Sequence, residues 1–550
     1  MDAVAQQIDG YGVAARPLRA LVALLTERPY PLDELVRTAA LPRRTVEEVL
    51  AALGPDLAEE PAGVRIRPDR VVAYRDRFGY AQLRATALPD LLADRLAGAG
   101  ALLADAERLI AAAPRPARAL DHVAATAHTA VRRALWLDSR YDLAGAHLLC
   151  LGDHDLTSLL VAQVNPAVTV TVVDIDERIL GYLDAQAAAR SIALRCLAGD
   201  LRFGLPGAAR DWADLVFTDP PYTPDGIRLF LARGLSAVRD REHGRLVMAY
   251  GYSDRHPALG WQVQQAAAGL GLTFEAILPA FNRYLGAQAV GSASDLYVCR
   301  PTARSWKALS GAGEQTFTGI YTHGPQSGEA AAPVQADQER VRATERLAGP
   351  DAVRIGLPGT DARVRLDAVL ATGLPARHGT RTVAAVDLSA DPGAWLLRTL
   401  LAANAARLAL LVPNHHPDVS SQAGQEGLAG LVGVKYRLSY LRNTPDARYT
   451  VVLADRVEPA RVEPGPDPGT LLRRHVLDRA HGKLGNVWRD GLVRIAGITR
   501  NAARDLVRQH AELAVLLDVA LVDVPRHRLA GILAALAASV AQTAAPGGRP

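Results

Sequence analysis

Acidic side chains follow four segments of the chain that have the apolar pattern of buried β-strands. They are Asp153 and Asp155 after the first segment, Asp174 and Asp176 after the second, Asp200 after the third and Asp219 after the fourth. Carboxyl ends of parallel strands meet at one edge of a sheet, where open α/β sheets bind their ligands. One acidic strand end commonly caps the following helix, but four at one edge predict a functional site.

The most specific of these strand ends is the Asp219-Pro220-Pro221-Tyr222 motif. Two successive prolines fix the chain so that a carbonyl and the Asp219 carboxylate can face one amine, while the Tyr222 ring can lie against it. Such a site holds an amino group and orients its lone pair for attack. A carboxylate at about 3 Å can also take the proton of the attacking nitrogen, which contributes roughly 10²–10⁴-fold to the rate. The motif predicts alkylation of an amine by a sulfonium donor.

Of the other three strand ends, the second and third fit a nucleoside-bearing donor, and the first departs from the usual pattern. A nucleoside-binding methyltransferase has a glycine-rich turn after its first strand, whereas here Gly152 is followed by Asp153, His154 and Asp155. An acid in the place of Asp174 or Asp176 can accept both ribose hydroxyls. Asp200 is placed to accept a hydrogen bond from an adenine amino group.

Strand and helix signals alternate through the segment that carries these residues. Strands separated by helix-length segments indicate a doubly wound parallel sheet, and the last two strands, joined by a turn alone, predict an antiparallel hairpin. That hairpin distinguishes a class I methyltransferase-like (Rossmann-like) sheet from a plain dinucleotide fold. The predicted strands are Ala146–Asp153, Thr169–Asp176, Ala193–Asp200, Ala213–Pro221, Arg245–Gly251, Thr273–Phe281 and Asp295–Arg300.

Two further regions precede the predicted catalytic domain, residues 135–305. Residues 1–80 have the pattern of three short helices and a hairpin over Gly63–Arg75, which is typical of a winged helix-turn-helix domain. Its third helix begins with two arginines followed by two glutamates, so we expect a docking or dimerisation module rather than a DNA reader. Residues 81–134 form a helical connector.

The chain continues well beyond the first sheet. Residues 306–349 are rich in small and polar residues and are interpreted as a linker. Within residues 350–550, the segment Val383–Pro417 can be aligned with the segment that carries Asp219. The closing hairpin of the first sheet also has a counterpart, in Val434–Asn443 and Arg448–Val457. We predict a second, degenerate α/β unit with a helical C-terminus. The alternative is an unrelated α/β unit in which helices and strands alternate in the same order.

Composition excludes several classes of protein. The net charge of +4 is small for 550 residues, so neither nucleic acid nor a membrane surface is an expected partner. Lys307 is the first of only three lysines, which excludes a Walker A or Schiff-base lysine before it. Three scattered cysteines cannot form a four-cysteine zinc site or a disulfide framework, and no run of 18 apolar residues occurs. We expect a cytoplasmic protein.

At this point the chain resembles the branched-chain polyamine synthase family, the bis(aminopropyl)spermidine synthases. The shared strings are TAVRRALWL (Thr129–Leu137), LGD-x-DLTS, DIDERI and DPP, and the resemblance ends near Thr302. It implies a winged-helix-like domain followed by a class I methyltransferase-like domain. It further implies transfer of an aminopropyl group from decarboxylated S-adenosylmethionine, as co-substrate, to a nitrogen of a small cationic polyamine, without a metal.

The resemblance also assigns residues. Gly152, Asp153 and Asp155 match the active-site loop of the family, Asp174 and Asp176 its nucleoside-binding acids, and Asp219 with the two prolines its amine-side motif. The candidate catalytic residues are Asp153, His154, Asp155, Asp219 and Tyr222, and the candidate donor-binding residues are Gly152, Asp174, Asp176 and Asp200.

Two departures leave alternatives open. His154 stands where the family loop has an acid, so it either replaces that acid as a base or is a tolerated substitution. It could also indicate a less charged acceptor or a donor that keeps its carboxylate. The C-terminal 200 residues have no counterpart in the family. The alternatives are an amino-group methyltransferase that uses S-adenosylmethionine and a winged-helix regulator that senses a polyamine or nucleoside; a homodimer is left open.

Overall fold

The computed structural model of the chain describes residues 1–87, 89–311, 320–321, 338–357, 360, 362–375, 381–458 and 467–544. Most of the predicted linker, residues 306–349, lies outside these ranges. Its two ends are helical, in Ala303–Gly311 and Gln338–Ala348.

The N-terminal region begins with the helices Asp2–Asp9, Arg16–Leu25, Leu32–Ala39 and Arg43–Leu53. Pro31 and Pro42 are the N-cap residues of the last two, where a missing N–H costs nothing. The apolar faces of these helices enclose a separate small core that includes Leu18, Leu21 and Leu35. A hairpin of β1 (Leu57–Glu60) and β2 (Gly63–Ile66) follows.

The hairpin differs from the one expected over Gly63–Arg75. Its second strand is β2, and the helix Val71–Arg77 occupies the place of the expected return strand. Tyr74 explains the difference, since its ring is buried in the N-terminal core and its hydroxyl donates to Asp56 Oδ2 at 2.7 Å. The burial of Tyr74 on the inner face of a helix therefore outweighs the alternating apolar and basic residues that predicted a strand here.

The connector is helical, as expected. It contains Tyr80–Ala85, Ala93–Ala97, Gly100–Ala112 and Ala127–Arg140. The Thr126 side chain caps the last helix by accepting from Thr129 N at 3.2 Å. This helix packs on the first large sheet through Ala130, Val131 and Ala134.

The first large sheet has seven strands in the order β5-β4-β3-β6-β7-β9-β8. Strands β3 to β7 are parallel, and β9 runs antiparallel to both β7 and β8. The prediction of a doubly wound sheet closed by a hairpin is therefore confirmed. The strands are β3 (His147–Leu151), β4 (Thr169–Asp174), β5 (Leu194–Ala198), β6 (Leu215–Thr218), β7 (Arg245–Tyr250), β8 (Thr273–Arg283) and β9 (Ala293–Arg300).

The chain reverses its direction of travel across this sheet at β3. It moves outward from β3 to β4 and β5, then returns to β6 on the other side of β3. The crevice at such a switch point, outside the carboxyl ends of the strands, is where ligands of open α/β sheets bind. Helices Thr157–Val164, Glu177–Ala189, Pro224–Ala237 and Pro257–Gly269 connect the strands.

The second large sheet has six strands in the order β11-β10-β12-β13-β15-β14. Its first four strands are parallel, and its last two form an antiparallel pair next to β13. The strands are β10 (Val353–Gly356), β11 (Val364–Arg365), β12 (Val383–Asp387), β13 (Arg407–Pro413), β14 (Tyr436–Arg442) and β15 (Tyr449–Arg456).

The two sheets share their strand order and sense. Strands β11-β10-β12-β13-β15-β14 occupy the places of β4-β3-β6-β7-β9-β8 in the first sheet. In the part of the chain that the structure describes, no strand takes the place of β5. Strand β12 with the loop after it therefore corresponds to β6 with the Asp219 motif.

Helices complete the C-terminal part. They are Leu366–Thr372, Trp395–Ala402, Pro417–Ser420, Gln422–Val432, Pro468–Leu477, Leu484–Ala496, Arg500–Arg508 and Arg526–Ala544. One continuous apolar core contains residues of both sheets, among them Leu149 and Val386. Ion pairs such as Arg528 with Asp184, at 2.8 Å, also join the two parts. Within the ranges described, no helix combines the length and apolar character needed to cross a membrane.

Candidate active site

A cavity of 580 Å³ lies at the carboxyl edge of the first sheet, at its switch point. Its walls come from the loops after β3, β4, β5, β6 and β7, the connector and the turn between β8 and β9. Of the predicted site residues, it is lined by Gly152, Asp153, His154, Asp155, Asp174, Asp200, Asp219 and Tyr222. Asp176 is not among the lining residues.

Arg133, from the connector helix Ala127–Arg140, contacts two of the predicted site residues and was not itself predicted from the sequence. Its side chain is 0% exposed. It donates to Asp155 Oδ2 at 2.8 Å, to Asp219 Oδ2 at 2.5 Å and to Asn282 Oδ1 at 2.8 Å. A single buried guanidinium therefore joins two predicted catalytic carboxylates from different strand ends, and its planar fork suits this geometry.

Asp155 and Asp219 differ in their protonation because nearby charges and hydrogen bonds offset the cost of burying a negative charge more fully at Asp155 than at Asp219. Burial opposes ionisation of Asp155, but the Arg133 charge and hydrogen bonds to Asp219 and the Ala125 N–H hold its pKa below the usual value. Burial raises the pKa of Asp219 to about 7, against the attraction of Arg133 and with the repulsion of Asp155. Asp219 is thus half-protonated near neutral pH, which suits a group that exchanges protons there.

Two tyrosines surround Asp219. The Tyr284 hydroxyl donates to Asp219 Oδ2 at 2.7 Å, and the Tyr222 hydroxyl donates to Oδ1 at 3.2 Å. The two hydroxyls lie 3.0 Å apart. Tyr250 packs edge-on against Tyr222 with ring centroids 5.3 Å apart, and both line the cavity. Carboxylates next to aromatic faces form an environment that attracts a cationic amine.

The loop after β3 turns sharply at Gly152, which has φ 70°. Asp153 accepts from the Ser158 N–H at 3.2 Å and from its hydroxyl, and so fixes the first turn of the helix Thr157–Val164. Burial raises the pKa of Asp153 to about 8 despite these hydrogen bonds. Through its contacts with Ser158, Asp153 orders the loop.

His154 stacks on His122 of the connector, with ring centroids 4.7 Å apart. Burial lowers the pKa of both rings, and for His154 the neighbouring His122 lowers it further. Both rings are therefore neutral near pH 7. Their Nδ1 atoms are buried and have no hydrogen-bond partner among the residues described. The sequence offered no signal for His122, which lies in a loop far from every strand end.

The carboxyl ends of β4 and β5 carry the predicted nucleoside acids. Asp174 accepts from the N–H groups of Asp153 at 3.1 Å and Asp176 at 2.8 Å, and burial raises its pKa to about 6. Asp176 caps the helix Glu177–Ala189 and pairs with Arg178 at 2.6 Å. Asp174 therefore reaches the cavity, whereas Asp176 is engaged by the helix that follows it.

Asp200, after β5, is held on several sides. Arg202 pairs with Asp200 Oδ2 at 2.6 Å, and Trp395 of the C-terminal part donates its indole N–H to the same oxygen at 2.9 Å. Tyr321 lines the cavity beside them, with the Arg202 guanidinium 5.4 Å from its ring centroid. The adenine side of the predicted donor site is thus built from residues far apart in the chain.

The His415-His416 pair of the second sheet is divided between surface and interior. His415 is exposed, whereas His416 is buried with its Nε2 at 3.2 Å from Asp391 Oδ2. In the described ranges, no group of three or more His, Cys, Asp or Glu side chains could hold a metal ion.

Comparison with known proteins confirms the resemblance predicted from the sequence. Residues 102–310 match the family model of the branched-chain polyamine synthase A C-terminal domain. Over 202 residues, the chain is 35% identical to an uncharacterised protein of Methanocaldococcus jannaschii, covering 36% of this chain and 50% of that protein.

Three further relatives carry the name N(4)-bis(aminopropyl)spermidine synthase. The Thermococcus kodakarensis protein is 34% identical over 127 residues, which cover 23% of this chain and 36% of that one. The Thermus thermophilus protein is 40% identical over 97 residues, covering 18% of this chain and 28% of that one. The chain spans half or less of the length of each curated relative it matches.

Among solved structures, the chain is similar to branched-chain polyamine synthase from Thermus thermophilus in complex with N4-aminopropylspermidine and 5'-methylthioadenosine. The identity is 22%, the TM-score is 0.38, and the match covers 54% of this chain and 91% of that one.

Proposed function

We propose that this chain transfers an aminopropyl group from decarboxylated S-adenosylmethionine to an amine of a polyamine-like acceptor. Its residues 102–310 match the C-terminal domain of branched-chain polyamine synthase A, and its relatives include proteins named N(4)-bis(aminopropyl)spermidine synthase. The observation that carries the proposal is the position of Asp219. This carboxyl has a pKa near 7 and lines one cavity with Asp174 and Asp200.

In this proposal the donor occupies the β4 and β5 side of the cavity. Asp174 accepts from the ribose hydroxyls, and Asp200 accepts from the adenine amino group. Asp176 supports this half through the helix that it caps. The sulfonium then lies toward the loop Gly152–Asp155, and its propyl carbon faces the Asp219 motif.

The acceptor amine lies against Tyr222 and Asp219. Its nitrogen lone pair attacks the propyl carbon next to sulfur, the carbon–sulfur bond breaks, and 5'-methylthioadenosine leaves with the bonding electrons. Asp219 takes the proton that the new ammonium releases. Asp155, held ionised by Arg133, offsets the positive charge of the acceptor without taking the proton.

The N-terminal residues 1–80 are assigned in this proposal to a winged helix-like docking module. Support comes from the helix Arg43–Leu53, whose first turns contact the catalytic part. Arg255 donates to Thr45 Oγ1 at 3.1 Å and pairs with Glu48. A recognition helix engaged in this way is not available to a DNA groove. We place the enzyme in the cytoplasm, because its three cysteines are free and buried.

The direct test is mass spectrometry of the products formed from spermidine and either donor. Decarboxylated S-adenosylmethionine should give an aminopropylated polyamine together with 5'-methylthioadenosine. Formation of a methylated amine and S-adenosylhomocysteine from the carboxylated donor would replace the proposal by amino-group methylation. If neither donor is consumed and DNA is bound with sequence preference, the regulator alternative is favoured.

The pH dependence of kcat/KM should have an acid limb governed by Asp219. Because a base acts only when deprotonated, activity should fall as the pH drops through about 7, the pKa of Asp219, by about tenfold for each further pH unit. Steady-state rates between pH 5 and 8 measure this. A profile that stays flat down to pH 5 would remove Asp219 as the base.

Replacing His154 by Asp should increase the preference for highly charged acceptors. The neutral imidazole becomes a carboxylate in a buried site, and an added charge at about 10 Å lowers the KM of a triamine about tenfold in an environment of intermediate dielectric. A diamine should gain less. The control is His154→Asn, which stays neutral; equal KM values for His154→Asp and His154→Asn would show that charge at this position does not select the acceptor.

A further inference from the structure

The loop after β12 in the second sheet corresponds in topology to the Asp219 motif after β6. Its acidic side chain, however, is bonded to residues of the second sheet's own loops and does not line the cavity of the first sheet. Asp391 in this loop is buried and contacts His416. Its carboxylate also accepts four backbone N–H groups at 2.8–2.9 Å, those of Gly393, Ala394, Trp395 and Leu396. The carboxylate that could have faced a ligand therefore fixes the start of the helix Trp395–Ala402.

That helix start lies against the nucleoside side of the first sheet. Trp395 is 2% exposed and donates its indole N–H to Asp200 Oδ2 at 2.9 Å. Its ring packs on Phe203, with centroids 5.0 Å apart, and lies 5.1 Å from the Arg202 guanidinium. Trp395 does not line the cavity, whereas Asp200 does.

The same helix also holds the neighbouring strand end. Arg398 pairs with Glu177, the first residue of the helix after β4, and donates to the Val524 carbonyl at 2.6 Å. The N–H of Arg526 donates to the other Glu177 oxygen at 2.8 Å. One short helix of the C-terminal part thus contacts the carboxyl ends of both β4 and β5.

We infer that Trp395 is a positioning residue of the donor site: it acts through Asp200, so that the C-terminal part supplies part of the affinity for the adenine nucleoside. This inference rests on the proposed function. Asp200 Oδ1 accepts from the Arg202 backbone N–H at 3.0 Å and from Arg202 Nε at 2.9 Å, so the indole N–H is the one hydrogen bond that the C-terminal part gives to this carboxylate among the residues described. Without it, the Asp200 carboxylate is oriented by Arg202 alone and no longer starts from the orientation in which its remaining lone pairs accept the adenine amino group.

The test is Trp395→Phe, which keeps an aromatic ring for Phe203 and Arg202 and removes the N–H. The Kd of 5'-methylthioadenosine, measured by calorimetry on the full chain, should rise about tenfold, since a hydrogen bond to a charged group is lost. KM for the donor should rise in step, and kcat at saturating donor should stay within about twofold. In an Asp200→Ala background, which has no acceptor for the indole N–H, Trp395→Phe should have no further effect.

Trp488→Phe is the matched control. Trp488 is buried in the same part of the chain and donates its indole N–H to Ser539 Oγ at 3.0 Å, away from the cavity. Its loss should leave the Kd unchanged. Should Trp395→Phe not fold, indole nitrogen NMR of the unaltered protein provides the second test: 5'-methylthioadenosine should shift the Trp395 signal and leave that of Trp488 in place.

The outcomes separate this inference from the proposed function. If the unaltered protein does not bind 5'-methylthioadenosine, the proposed function fails and the inference falls with it. If the unaltered protein binds and Trp395→Phe binds equally well, or the Trp395 signal does not move, the positioning role is wrong while the proposed function stands.

Discussion

Asp219→Asn should lower kcat by about 10²–10⁴-fold, the contribution of a positioned general base. Asparagine keeps the shape of the side chain. Its one oxygen can accept from the Tyr284 hydroxyl, which lies 2.7 Å from Asp219 Oδ2, and its amide N–H can donate to the Tyr222 oxygen, which lies 3.2 Å from Asp219 Oδ1. It cannot take a proton from the attacking amine. Because the donor contacts assigned here belong to Asp174 and Asp200, the Kd of 5'-methylthioadenosine should change by less than about threefold.

Asp214→Asn is the control for this prediction. Asp214 precedes β6, the strand that Asp219 follows, and it pairs with Arg239 at 2.6 Å at the opposite end of that strand. Its loss should leave kcat within about twofold, since a partly exposed ion pair contributes little. Turnover of Asp219→Asn within tenfold of the unaltered enzyme would rule out Asp219 as the base.

Arg133→Met should abolish activity and destabilise the fold by about 3–5 kcal/mol at pH 8, the cost of leaving buried charge without its partner. Methionine fills much of the same space but leaves the Asp155 and Asp219 carboxylates facing each other without a cation. Near pH 5 the loss should be smaller, because protonation then relieves the repulsion. Urea unfolding at the two pH values measures this difference.

Two companion variants make the result specific. Arg133→Lys keeps the charge but has no planar fork to reach Asp155, Asp219 and Asn282 together, so its stability should lie between those of Arg133→Met and the unaltered protein. Arg108→Met removes an exposed arginine paired with Asp105 on the connector and should cost less than about 1 kcal/mol. Equal costs for Arg133→Met and Arg108→Met would contradict the role given to Arg133.

The strand ends of the catalytic sheet were predictable because two independent patterns coincide there. Strands β3 to β6 are short apolar runs buried on both faces, and each ends at an acid or within two residues of one. Burial of the runs and their parallel pairing then bring Asp155, Asp174, Asp200 and Asp219 to one cavity without further information. The closing hairpin followed from the short turn between its strands.

Arg133 and His122 were not predictable in the same way. Arg133 directly follows Arg132 in its helix, where a charged residue normally faces solvent. The carboxylates that make its burial favourable are 22 and 86 residues away along the chain. Only the three-dimensional arrangement brings them together. Asp176 could have been assigned a second role from the sequence, since an acid followed by Glu-Arg at a helix start already has the pattern of a cap.

The order of strands and helices in the second sheet could be predicted from the sequence, but the contact between the second sheet and the first could not. The segments Val434–Asn443 and Arg448–Val457 contain β14 and β15, and the Val383–Pro417 segment contains β12 and β13. Nothing in these patterns indicated that Trp395 reaches Asp200. A single hydrogen bond between residues 195 positions apart produces no repeating pattern of apolar and polar residues from which it could be predicted.

The apolar core that contains Leu149 and Val386 links the stability of one sheet to that of the other. Side chains of both sheets shield one another from water, so neither sheet can lose its order without exposing apolar surface of the other. A nucleoside held at the first sheet therefore protects the whole assembly by mass action, by about 2.7 kcal/mol at a hundred times its Kd. The C-terminal sheet, which has no ligand assigned to it, shares in that protection and should resist heat and proteases better whenever the donor is plentiful.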